Sequence, residues 1–150
     1  MNTKPGLSRC GGLIILILNT LPISLVNAQF TDQLFIPPAL SGPNFVLTVE
    51  DTARNFFPNV GGSQASQTYG YNALDFQGPT LIFNKNETVD FDITNNTLTD
   101  NVTVHWHGFH LPAMWDGGPA NSFASGETWS PTFEVMQNAS TMWYHSHIHG

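Results

Sequence analysis

Two short strings, His105-Trp106-His107-Gly108 and Trp143-Tyr144-His145-Ser146-His147, constrain this chain more than any other feature. Around the first, Val102, Val104 and Trp106 alternate with Thr103, His105 and His107, the period-two pattern of a β-strand with one apolar face. His105 and His107 therefore share the opposite face. The same alternation runs from Thr141 to His147 and sets Trp143, His145 and His147 against Met142, Tyr144 and Ser146. Each H-x-H thus presents two imidazoles on one side of a strand, roughly 7 Å apart at Cα. Two such pairs on neighbouring strands can converge four neutral nitrogen donors on a small volume.

The rest of the chain supplies strands and turns. Phe45-Val46-Leu47-Thr48-Val49 alternates as a first strand after an extended, Pro-containing lead-in from Gln29 to Pro43. Residues 51–79 are rich in Asn, Gly, Ser and Gln and read as a long loop with a short strand near Gln67 to Tyr71. Gly78-Pro79 turns the chain into a strand at Thr80 to Phe83. Val89-Asp90-Phe91-Asp92-Ile93 alternates apolar and acidic residues as a half-buried antiparallel strand does. Thr128 to Val135 reads as one further strand with Trp129, Phe133 and Val135 on a single face. Nowhere does a 3.6-residue apolar period persist, so the expected class is an all-β sandwich or barrel.

All six histidines lie between His105 and His149, and two aromatic-flanked H-x-H copies favour a shared metal site over independently titrating surface residues. Imidazole donors suit Cu, Zn, Fe or Ni, and the spacing alone does not choose among them. The single cysteine, Cys10, falls in an N-terminal segment expected to be removed. There Lys4 and Arg9 precede an apolar run from Gly12 to Leu25 and the small-residue site Val26-Asn27-Ala28, so residues 1–28 read as a signal peptide. The apolar run is shorter than a membrane span requires. The mature, exported chain, secreted or periplasmic, would then lack any cysteine for a disulfide or a blue-copper site. It would also carry only Arg54 and Lys85 against eleven acidic residues, a balance that argues against nucleic acid as a partner. Four N-x-S/T sequons begin at Asn86, Asn95, Asn101 and Asn138.

Gly78-Pro79-Thr80-Leu81, the strand around Val89, His105-Trp106-His107-Gly108, Asp116-Gly117-Gly118-Pro119 and Trp143-Tyr144-His145-Ser146-His147, in this order, resemble the first cupredoxin domain of multicopper oxidases. The D-G-G-P form and the added histidine in His145-Ser146-His147-Ile148-His149-Gly150 look more like bacterial copper-efflux and spore-coat oxidases than plant or fungal laccases. The resemblance implies a cupredoxin-like Greek-key β-sandwich (plastocyanin-like) over residues 29–150, and copper as cofactor. It also implies an activity: phenols, aromatic amines or low-valent metal ions are oxidised one electron at a time at a type 1 copper. Dioxygen is then reduced to water at a trinuclear cluster. Transferred by position, His105 would ligate the type 2 copper, and His107, His145 and His147 the type 3 pair. Asp116 matches a family acid that positions solvent and delivers protons near the cluster. His110 and His149 match no ligand position and are assigned to the outer shell or surface, while Trp106 and Trp143 are assigned as core and shielding residues rather than redox relays.

The family also places the remaining cluster ligands and the type 1 copper, with its cysteine, in a later domain. The expectation is therefore a C-terminally truncated first domain that lacks its last strand, is inactive alone, and meets dioxygen and a small reducing substrate only through further domains. Two other functions fit the residues: a secreted module that binds copper without turnover, and, from ligand type alone, a three-histidine zinc site with an activated water.

Overall fold

In the computed structural model, which describes residues 34–148, nine β-strands and one 3-10 turn at Pro119–Asn121 make up the regular structure. The signal-peptide reading of residues 1–28 and the assignment of His149 lie outside the described residues. The longest strands are β2 (Asn44–Arg54) and β5 (Thr88–Asn95), and they pair in parallel with Phe45 beside Phe91 and Leu47 beside Ile93. That register follows from the period-two pattern, because only in-phase pairing puts both apolar sets on one face. Phe45, Leu47, Val49, Val89, Phe91 and Ile93 are all buried, whereas Val46, Asp90 and Asp92 face solvent.

A five-stranded sheet grows around this pair. β3 (Ser66–Tyr71) runs antiparallel to β2, while β7 (Thr128–Trp129) and β8 (Thr132–Glu134) both run antiparallel to β5. Two small sheets contribute to the same core: β1 (Ala39–Ser41) with β4 (Thr80–Ile82), in parallel, and β6 (His105–His107) with β9 (Trp143–His145), antiparallel. Leu40 and Leu81 from the first pair, and Trp106 and Tyr144 from the second, join the core cluster. Phe91 is its aromatic centre, 5.0 Å from the ring of Phe45, 5.7 Å from Phe133 and 4.5 Å from Trp106.

Three expectations need correction. The loop expected from residue 51 starts later: β2 continues to Arg54 and pairs with all of β3, the short strand expected near Gln67 to Tyr71. This polar hairpin is tied by side chains, with Thr52 and Thr68 joined at 2.8 Å and the Arg54 guanidinium donating to both Asp75 carboxylate oxygens at 3.0 and 2.9 Å. The strand expected over Thr128 to Val135 is two strands, parted at Ser130-Pro131; Pro131 has no N–H to give a ladder, but its carbonyl accepts from Phe91 N–H at 3.0 Å. Finally, the lead-in contains β1, whose partner β4 is reached through a Thr80 N–H to Pro38 carbonyl bond of 2.8 Å.

Candidate metal centre

Trp106 is fully buried against Phe91 and Phe133, and strand alternation then turns His105 and His107 away from the core. Tyr144 does the same for β9: its ring packs on Tyr71 and Trp106, and its hydroxyl donates to the Pro79 carbonyl at 2.7 Å. Gly78 makes room for that hydroxyl, since a Cβ there would overlap it. Burial pushes the Tyr144 and Tyr71 phenols well above their ordinary pKa, with Tyr71 adding to the effect on Tyr144.

In the β6–β9 register His105 faces His145 and His107 faces Trp143. Ligand nitrogens of His105, His107 and His145 all lie within 4.8 Å of one another, a grouping that could hold a metal ion once the rings draw in to bonds of about 2 Å. The His147 ring lies beside this trio, 5.1 Å from that of His105 and 5.9 Å from that of His145. The structure thus gathers all four expected imidazoles on one face. His110 is exposed and stands outside the trio.

Backbone carbonyls set the tautomers. His105 Nδ1–H donates to the Asp116 carbonyl at 2.8 Å, and His145 Nδ1–H to the Ser146 carbonyl at 2.7 Å, which puts the lone pair of each ring on Nε2. His107 Nδ1 then donates to His145 Nε2 at 3.2 Å. The Asp116 carbonyl also accepts Trp106 N–H at 3.3 Å, so a single loop oxygen anchors both the strand and its ligand. The Asp116 carboxylate is half-buried, with Oδ2 3.4 Å from His105 Nδ1.

The loop reaches β6 because of Gly117. Its φ is +73°, and a Cβ there would overlap the Val104 carbonyl and crowd the His105 Cα. Trp143, in contrast to Trp106, is not a core residue. It is 58% exposed and stacks on the rings of His145 (4.4 Å) and His107 (4.6 Å), which agrees with shielding. Two contributors carried no sequence signal: the Asp116 backbone oxygen, and Thr103, which is fully buried and accepts His147 N–H at 2.6 Å.

An all-β sandwich that turns paired H-x-H strands outward from an aromatic core defines a metal-binding domain with an all-imidazole donor set. The multicopper oxidase family model matches residues 54–150, and the chain belongs to that family, whose cofactor is copper. It is 36% identical over 104 residues to the multicopper oxidase mco of Staphylococcus epidermidis, covering 69% of this chain and 22% of that protein. It is 31% identical over 144 residues to the cell division protein FtsP of Escherichia coli, covering 94% of this chain and 28% of that one. Among solved structures, the laccase-like multi-copper oxidase CueO from Ochrobactrum sp., which has oxidase activity towards lignin model compounds and lignosulfonate, superposes with a TM-score of 0.68 at 34% identity. That match covers 79% of this chain and 26% of that one. The fold is accordingly the cupredoxin-like sandwich expected, and the chain spans about a quarter of the length of these relatives. The donors fit copper: three neutral nitrogens converge, and none of the described residues is a cysteine.

Proposed function

We propose that this chain is the copper-binding first domain of an exported multicopper oxidase, which oxidises phenolic or aromatic compounds or metal ions and reduces dioxygen to water at a trinuclear copper cluster. The convergence of the His105, His107 and His145 nitrogens carries the reading. Bound copper supplies the one-electron redox chemistry that couples such substrates to dioxygen. His105, His107, His145 and His147 act as ligands, and the other half of the cluster's donors comes from a further domain. The Asp116 carbonyl and the Ser146 carbonyl hold His105 and His145 with the lone pair on Nε2, and copper would displace the His107 Nδ1–H that His145 Nε2 accepts here. Trp143 covers one side of the His107–His145 pair with its ring. The Asp116 carboxylate, half-buried beside His105, holds a proton or a solvent molecule close to where dioxygen reduction consumes protons. The lignin-related activity of the Ochrobactrum protein supports an aromatic reducing substrate.

A second reading is a copper-binding module without turnover. The grouping of His105, His107 and His145 supports it, because residues of this chain alone gather those three imidazoles.

The test is copper content and oxygen uptake of the purified chain after copper loading, alone and with its full-length parent, beside a His105→Ala/His145→Ala double variant. Copper bound by the wild type and lost from the double variant, with oxygen uptake in the parent, is the expected outcome. Copper uptake with no oxidation in the parent would select the module, and equal copper content in both chains would remove the site.

A further inference from the structure

The ladder between β6 and β9 ends at the His105–His145 pair, so it fixes His145 but leaves His147 two residues beyond the last register position. His147 is nevertheless held, and from another segment: its backbone N–H donates to Thr103 Oγ1 at 2.6 Å. Thr103 precedes β6 by two residues and is 1% exposed, between the core residues Val102 and Val104. A buried hydroxyl costs stability unless it is bonded, and valine has nearly the same shape, so packing alone would be served as well by a third valine. The bond to His147 is the use the hydroxyl has. With that bond in place, the His147 ring is edge-on to His105 at 5.1 Å, beside the histidine trio.

We infer that Thr103 is a positioning residue for the copper site: its side-chain oxygen takes the place of the strand pairing that β9 lacks beyond His145 and presents His147 to the cluster. The inference rests on the reading of His147 as a ligand. Without the bond, the chain after β9 must be ordered by the metal itself, and affinity falls by the cost of that ordering. Outer-shell contacts of this kind typically change metal affinity by roughly 10- to 100-fold.

The experiment compares Thr103→Val and Thr103→Ser, each in the wild-type and His147→Ala backgrounds, with two readouts. The first, without metal, is hydrogen exchange of the His147 amide followed by NMR. The second is Cu(II) titration, with the number of coupled nitrogens read by electron paramagnetic resonance. Thr103→Val is expected to speed His147 amide exchange and weaken copper binding by roughly tenfold or more, with one fewer nitrogen coupled. Thr103→Ser should restore both, and Thr103→Val should add no loss once His147 is alanine.

The inference is overturned if the His147 amide is unprotected in the wild-type chain, a result that needs no variant to fold. It is equally overturned if Thr103→Val leaves exchange and affinity unchanged, or weakens copper binding as much in the His147→Ala background. The reading beneath it fails separately: His147→Ala binding copper as tightly as wild type removes His147 from the ligand set whatever Thr103 does.

Discussion

Gly117→Ala is the most informative single change. The backbone there is left-handed, at φ +73°, which costs a residue with a Cβ about 1–2 kcal/mol before any contact is counted. The new methyl group would also overlap the Val104 carbonyl and crowd the His105 Cα, both backbone atoms of the segment that carries the site. Relief requires the Asp116 loop to lift off β6, and that breaks the bonds from His105 Nδ1–H and Trp106 N–H to the Asp116 carbonyl, each worth about 1 kcal/mol. The expected loss is about 3 kcal/mol in denaturant unfolding, with copper affinity lower by roughly 10- to 100-fold because His105 loses the partner that orients it. Gly118→Ala is the matched control. Its φ is −70°, and a Cβ there would meet only Asp116 Oδ2, at 3.9 Å, so both quantities should stay near wild type. Wild-type stability and copper affinity in Gly117→Ala, or equal losses in the two variants, would refute the claim that the loop is seated through this glycine.

Asp116→Asn should keep copper affinity within about threefold, because the anchor of His105 is the main-chain oxygen at 2.8 Å rather than the carboxylate at 3.4 Å; a drop as large as the tenfold or more typical of a lost orienting partner, read by the same titration, would assign the orienting role to the side chain. Asn95 is fully buried, donates to the Asp100 and Phe123 carbonyls and accepts from Thr97 N–H and Oγ1–H, so Asn95→Ala should cost about 3 kcal/mol or more in unfolding measurements. For the same reason, expression in a host that attaches N-glycans should leave Asn95 unmodified while the exposed Asn86, Asn101 and Asn138 stay available; a glycan on Asn95 by peptide mass spectrometry would contradict the buried amide. Tyr71 and Tyr144 keep their protons in the folded chain at pH values where the unfolded chain, with an ordinary value near 10.0, has lost them. Stability should therefore be full below pH 10 and fall above it by about 1.4 kcal/mol per pH unit for each tyrosine, and Tyr71→Phe should flatten a plot of Tm against pH between 9 and 11; an unchanged slope would refute the assignment.

The strands that build the site were legible because one face of each is apolar. Phe45 to Val49, Val89 to Ile93 and the two histidine strings all alternate cleanly, and the structure places each of them in or beside a strand. β3 was legible near Gln67 to Tyr71, but its pairing with the end of β2 was not, because from Glu50 to Arg54 polar residues occupy both faces and the pairing is held by Thr52, Thr68, Arg54 and Asp75 instead. β1 has only three residues after two prolines, too few to show a period. The same distinction holds inside the site. Four imidazoles were readable as residue types at a spacing, whereas the Asp116 carbonyl is a backbone atom that every residue has, and only the fold aims it at His105. Thr103 looked like the polar half of an alternation, but the end of β9 returns across it and buries it.

The two strands that hold the histidines are only three residues each, yet they join parts of the chain about 40 residues apart. An ion held by both strands would close that segment into a loop, as a covalent cross-link does, and this in a domain whose described residues include no cysteine. Cross-linking a loop of about 40 residues removes unfolded-state entropy worth about 4 kcal/mol in the chain-entropy model. Copper bound across β6 and β9 would thus act as the domain's clasp, and removing it with a chelator would loosen first the part of the sandwich that carries the paired histidines.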